Sequence, residues 1–304
     1  MSSNGKEVGL TKIIIEKPYF FQYQEILTFL NRGFDDIMHQ MHGNRIRKAI
    51  RTESGSGVIE IAEEDNCLKV EILVNQGLSE GQIQNYIEEW FDLKRDLQGF
   101  ASIKNPQIAD LVEKYQGLRL VSIPDFFEAL CWSIIGQQIN LTFAHRLKRL
   151  FVEAHGEPLI YENRIYWLFP TPEKIKDLKK QDLLDLKFSR QKSEYVLTVA
   201  KVLSDGSLSK EALLQMKNTR EMIASLTEIR GIGSWTANYV LMKSLQRMDC
   251  IPWGDAGLNQ GLKQVLKLTG KPTNEVVMDF FKECPGWESY VTLYVWRSLY
   301  GLPT

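Results

Sequence analysis

The chain has 304 residues, 44% hydrophobic and 25% charged, with a net charge of −1 and an isoelectric point near 6.5. That is room for two soluble globular domains, and a near-neutral balance argues against a basic coat for nucleic acid while leaving space for a local positive face. No stretch approaches the roughly 18 apolar residues of a spanning helix, Met1–Leu10 lacks the apolar core of a secretory signal, and Cys67, Cys131, Cys250 and Cys284 form no CxxC pair, so a cytoplasmic protein with reduced thiols and no membrane partner is expected.

Residues 1–98 read as a small α+β domain. Lys12–Ile15 is an apolar run, and Gln22–Asn31 puts Ile26, Phe29 and Leu30 on one helical side. Arg45–Glu53, Gly57–Ala62 and Leu68–Val74 follow; in the last, Leu68, Val70, Ile72 and Val74 alternate with Lys69, Glu71, Leu73 and Asn75, a strand with one buried face. Ser54-Gly55-Ser56-Gly57 and Glu64-Asp65-Asn66 supply turns, which predicts an antiparallel sheet. The SGSG lacks the Gly-Lys-Ser/Thr of a phosphate loop and precedes a strand. His39 and His42 read as a polar helix surface, with no third ligand nearby for a metal.

From about Phe100 the spacing becomes helical and stays so, giving a mainly α domain over 99–304. Apolar residues recur at three and four positions in Asp125–Ile135, Leu141–Ala154, Pro172–Leu178, Lys180–Leu186, Gln191–Leu203, Lys210–Gln215, Glu221–Leu226, Ser234–Leu245, Leu258–Leu268, Thr273–Phe281 and Trp287–Leu299. Connections are short and hold Pro or Gly, with no fixed-period repeat.

The most informative segment runs from Leu226 to Tyr239, where Arg230-Gly231-Ile232-Gly233 is a tight turn and Ser234 reads as the N-cap of the next helix. Glycine lets a backbone approach a phosphate closely, and the free N–H groups at a helix start face an anion. Gly231, Gly233, Ser234 and Thr236 are therefore candidates for holding a nucleic-acid backbone, while the carbonyls of Thr227, Ile229 and Ile232 offer oxygen ligands for a structural monovalent cation. Alone, the same glycines equally describe a plain helix–helix turn.

Cys250-Ile-Pro-Trp-Gly-Asp255 follows, with Asp255 twenty residues after Trp235 at the start of a helix. Alone, Asp255 reads as an N-cap. A catalytic role is compatible with that one.

GIGSWTANY followed by PWGDAGL resembles the helix-hairpin-helix DNA glycosylase superfamily, and within it the bacterial 3-methyladenine DNA glycosylase II branch. Phe127-Glu-Ala-Leu-Cys-Trp-Ser-Ile-Ile-Gly-Gln-Gln138 is similar to the family's first core helix, Phe188-Ser-Arg-Gln-Lys192 to its GxxxxK turn, and Tyr290–Trp296 to its final helix. The likeness spans about Pro18 to Leu299.

The resemblance implies a monomeric enzyme acting on double-stranded DNA that carries a damaged base, with no cofactor required. Asp255 would be the catalytic carboxylate, stabilising positive charge on the sugar as the N-glycosidic bond breaks. Relatives that also nick the strand carry a lysine at the start of the second hairpin helix; Trp235 stands there, which implies hydrolysis without a lyase step. Trp235, Tyr239 and Trp296 would receive the flipped base, with Trp253 lining the pocket, since electron-rich rings attract a cationic alkylated purine. Gln137 and Gln138 would contact DNA, Gln138 at the wedge position with Ile139 beside it. Two other readings remain: the oxidised-guanine branch, which should carry the missing lysine, and a non-catalytic DNA-binding hairpin, which has no use for an acid in that loop. The N-terminal domain carries no legible chemistry.

Overall fold

A computed structural model describes residues 12–300. The Met1–Leu10 segment read for a leader lies outside them. Five strands form one antiparallel sheet: β1 (Lys12–Glu16), β2 (Gln40–His42), β3 (Arg45–Arg51), β4 (Ser56–Glu64) and β5 (Cys67–Gln76), in the order β1-β5-β4-β3-β2. The alternation that predicted β5 fixes its register, pairing Val70 with Ile13 on one side and Ile61 on the other, all buried. Asp65 and Asn66 turn β4 into β5 with φ of 49° and 64°, the left-handed pair a tight hairpin needs.

The helix Tyr23–Leu30 packs on this sheet, the Tyr23 hydroxyl donating to the Ile61 carbonyl at 2.9 Å. His42 lies in β2, so His39 and His42 are not on a helix surface as expected; Gly43 reverses the chain at a φ of 60° and pairs β2 with β3. The helices Glu80–Trp90 and Pro106–Lys114 complete this region.

The second part is helical with one exception. β6 (Glu157–Tyr161) and β7 (Arg164–Leu168) make a hairpin in the stretch between the expected helices Leu141–Ala154 and Pro172–Leu178, where only a connection was expected. Its turn uses Glu162 and Asn163 at φ of 48° and 59°, and its strands are too short to show a clear period. Leu159, Tyr166 and Leu168 pack against Ala49 and Val58, covering the sheet's second face. Arg47 on β3 donates to Glu60, Glu162 and the Tyr166 hydroxyl across that seam.

A single apolar cluster runs from Ile13 in β1 to Val295 in the helix Glu288–Arg297, so packing does not break at residue 98. Its centre is the helix Phe126–Gly136, with Ala129, Leu130, Cys131, Ile134 and Ile135 buried. The Lys192 ammonium donates to the Ile135 carbonyl at 2.7 Å, placing a cation on the negative end of that helix. Among the described residues no helix is long and apolar enough to cross a membrane.

Candidate active site

The helices Thr219–Thr227 and Ser234–Lys243 meet through the glycine hairpin. Gly231 sits at a φ of 101°, and a Cβ there would lie 2.2 Å from the Tyr195 ring, so no other residue fits. Gly233, not Ser234, is the N-cap of the second helix, and no side chain caps it. The reason is backbone geometry: Gly233 is extended and Ser234 already helical, which leaves first-turn N–H groups uncapped beside exposed Gly233 and Ser234. Thr236 is buried and its hydroxyl accepts from Gln137 Nε2 at 3.1 Å, while Gln137 also donates to the Gly231 carbonyl at 3.0 Å. Those two side chains therefore brace the hairpin internally, and of the two glutamines Gln138 is the exposed one, left-handed at a φ of 55°. The Ile229 carbonyl accepts the Ile232 N–H at 3.0 Å and keeps a second lone pair.

Asp255 closes the loop after the second hairpin helix. Asn238 ties this loop to that helix, its Oδ1 accepting the Ile251 N–H at 3.2 Å. Asp255 N-caps the helix Ala256–Val265, with Oδ1 accepting the Leu258 N–H at 2.7 Å. The same oxygen accepts from Trp296 Nε1 at 2.9 Å, and Oδ2 from Trp235 Nε1 at 3.1 Å. One half-buried carboxylate is thus held by a helix start and two indoles, and a side chain at Gly257 would press on the Trp296 contact.

Asp255 lines a cleft of about 770 Å³ together with Trp235, Tyr239, Trp253, Trp296 and Gln138, a volume within the roughly 300–1,000 Å³ of small-ligand sites. Trp235 stacks on Tyr239 at 5.4 Å and 22°, and Trp296 is tilted 6.2 Å from Tyr239. The Tyr239 hydroxyl accepts from Trp132 Nε1 at 2.9 Å, and burial pushes its pKa up to about 12, so it keeps its proton as a donor.

Sequence reasoning missed part of this lining. Phe29 and Arg32 come from the N-terminal region read as chemically silent, and Lys243 and His145 lie at the inner end. Burial, then the Arg32 charge, pushes the Lys243 ammonium down to about 7, and burial pushes His145 down to about 4. Leu141, 41% exposed, also lines the cleft, and Phe143, 39% exposed, lies two residues further along the same helix. Their only sequence signal was an apolar pair on the solvent side of Leu141–His155.

Comparison with known proteins places this architecture. The family model described as HhH-GPD superfamily base excision DNA repair protein matches residues 131–285, and that of the 8-oxoguanine DNA glycosylase N-terminal domain matches 25–130. The chain is 37% identical over 295 residues to the DNA-3-methyladenine glycosylase of Bacillus subtilis, covering 95% of this chain and 97% of that one. It is 26% identical over 203 residues to DNA-3-methyladenine glycosylase 2 of Escherichia coli, covering 67% and 68%. The solved 3-methyladenine DNA glycosylase of Archaeoglobus fulgidus superposes with a TM-score of 0.81 at 19% identity, covering 94% of this chain and 97% of that one, a likeness of fold. With the glycine hairpin and the Asp255 loop at the heart of the matched region, the chain belongs to the HhH-GPD superfamily of base excision DNA repair proteins.

Proposed function

We propose that this protein is a monofunctional DNA glycosylase that releases alkylated bases of the 3-methyladenine and 7-methylguanine type from double-stranded DNA. The observation that carries it is Asp255, held by the indoles of Trp235 and Trp296 in an aromatic cleft beside an uncapped helix start. The uncapped N–H groups, with Gly231, Gly233 and Ser234, take a backbone phosphate. Carbonyls of Thr227, Ile229 and Ile232 are the hard oxygen donors a monovalent cation takes, and such an ion would bridge to the same phosphate. Gln138, Ile139 and Leu141 stand where a side chain would fill the gap left by the flipped nucleotide.

Once the base enters the cleft, Trp235, Tyr239, Trp253 and Trp296 contact its faces and edges. The Asp255 carboxylate stabilises the sugar cation as the glycosidic bond breaks and orients the attacking water. No amine stands at Trp235 to form a Schiff base, and no cofactor is needed. The names of the Bacillus subtilis and Escherichia coli relatives support this substrate class. We read the protein as a cytoplasmic monomer.

The match of residues 25–130 to the 8-oxoguanine DNA glycosylase N-terminal domain favours a second reading, an oxidised-guanine enzyme. Trp235 at the lysine position opposes it. Incubation with methylated duplex DNA should release free 3-methyladenine and leave abasic sites. Release of 8-oxoguanine alone would favour the second reading, and no release from any damaged duplex would refute both.

A further inference from the structure

The N-terminal region delivers a charged side chain to the cleft. The helix Tyr23–Leu30 is fixed on two sides: Tyr23 bonds to Ile61 at 2.9 Å, and Glu25 accepts from Arg297 Nε at 2.6 Å and Nη2 at 3.2 Å. Just past its end, Arg32 reaches the same cleft as Asp255. Its guanidinium carbon lies 4.0 Å from the Phe29 ring centre, 5.4 Å from that of Tyr300 and 5.9 Å from that of Phe34. The rings hold the position of the charge, and the N–H groups are left to find acceptors elsewhere.

They find almost none. Buried Nε has no partner among the described residues, and Nη1 comes only within 3.5 Å of the Tyr300 hydroxyl. Asp36 and Glu128, in the smaller chamber behind Arg32, are both taken by Lys148, at 3.3 and 2.9 Å. Beside Arg32, Tyr239 has a proton to give and Lys243 is a further donor. This end of the cleft is therefore dominated by donors and positive charge; among the described residues its one unpartnered acceptor-capable side-chain atom is the buried Nδ1 of His145, apart from the Asp255 carboxylate on the sugar side. A buried donor left unmatched is costly, and a ligand that supplies an acceptor removes that cost.

We infer that Arg32 is a specificity-determining residue of the base pocket, donating to an acceptor oxygen on the extruded base and favouring neutral purines that carry one over cationic methylated purines. The inference rests on the base-excision reading of the cleft. The aromatic rings attract a cation and Arg32 repels it, so the two together set the range of bases released.

The test compares single-turnover release of hypoxanthine, which carries an O6 acceptor, with release of 3-methyladenine, a cationic purine that carries no oxygen, from duplexes of the same sequence. Arg32→Met removes charge and donors while keeping most of the length. It should slow hypoxanthine release by about tenfold or more, the worth of a charged hydrogen bond, and speed 3-methyladenine release. Arg32→Lys, which keeps the charge but not the planar fork, should lose hypoxanthine release without the gain on 3-methyladenine. A purely structural role would slow both bases together. A hypoxanthine to 3-methyladenine ratio that falls by less than about threefold in Arg32→Met, or a wild-type protein that releases 3-methyladenine and not hypoxanthine, overturns the inference. Wild-type protein that releases neither base overturns the alkylated-base reading beneath it.

Discussion

Asp255 serves two ends at once, and two substitutions separate them. As a helix cap its Oδ1 accepts the Leu258 N–H at 2.7 Å, and as a charge it sits between two indole donors. Asp255→Asn keeps an oxygen for the cap, because Asn caps about as well as Asp, but turns an amide donor toward Trp235 Nε1 and costs about 1 kcal/mol. Asp255→Ala loses the cap and both indole bonds, and should cost about 2 kcal/mol. Activity follows charge alone. A carboxylate about 4 Å from a sugar cation, at an effective dielectric constant near 20, contributes about 4 kcal/mol, or roughly a thousandfold in rate. Single-turnover release from methylated DNA should therefore fall about a thousandfold in both variants, while urea unfolding finds Asn the more stable. An Asn variant within tenfold of wild type would refute the catalytic role, and equal stability of Asn and Ala would refute the cap.

Gly231→Ala forces a side chain to a φ of 101° and into the Tyr195 ring. It should cost about 1–3 kcal/mol and weaken binding to undamaged duplex, read by melting and fluorescence anisotropy; unchanged values for both would contradict the fit described. Borohydride added during turnover should trap no covalent protein–DNA adduct if, as proposed, Trp235 stands where a lyase relative has its lysine; a trapped adduct would refute hydrolysis without a lyase step. Lys243 tests linkage: its folded pKa is lowered to about 7, while the unfolded chain keeps the proton up to about 10.4. Between those values the unfolded state binds more protons, so this site adds stability as pH rises from 7 to 10, by up to about 4 kcal/mol. Lys243→Met should then be more stable than wild type at pH 6, with the gap closing toward pH 10; a gap independent of pH would refute the assignment.

Much of the fold could be read locally because its boundaries are written in side chains. Asp125, Asn140, Ser189, Ser209, Asn218, Asp255 and Thr273 each cap a helix through their own oxygen, and those helices begin within a few residues of the expected starts. The departures occur where local signal is weak or misleading. β6 and β7 turn on Glu162-Asn163 without the glycine that marks such hairpins, and half of each strand faces solvent. Ser234 has the residue type of a cap, yet Gly233 takes the position, and the N–H groups that we propose take a phosphate stay uncapped because of it. A serine hydroxyl bonded across that helix start would compete with the phosphate for the same donors.

The site divides along the same line. Trp235, Tyr239 and Asp255 share a short stretch of chain, so their convergence follows from one helix and one loop, and Trp296 joins them through the packing of the last helix beside the Asp255 helix. Phe29 and Arg32 have no such local link to Asp255. What brings them to the cleft is the buried Glu25–Arg297 pair, in which each residue looks like an ordinary surface charge until its partner is known. Removing one member of such a pair strands the other in the core, at a cost of about 3–5 kcal/mol. That contact, with the Tyr23–Ile61 bond and the continuous apolar cluster, is why the N-terminal region reaches the cleft, and a pairing 272 residues apart in sequence is why this could not be read from the chain.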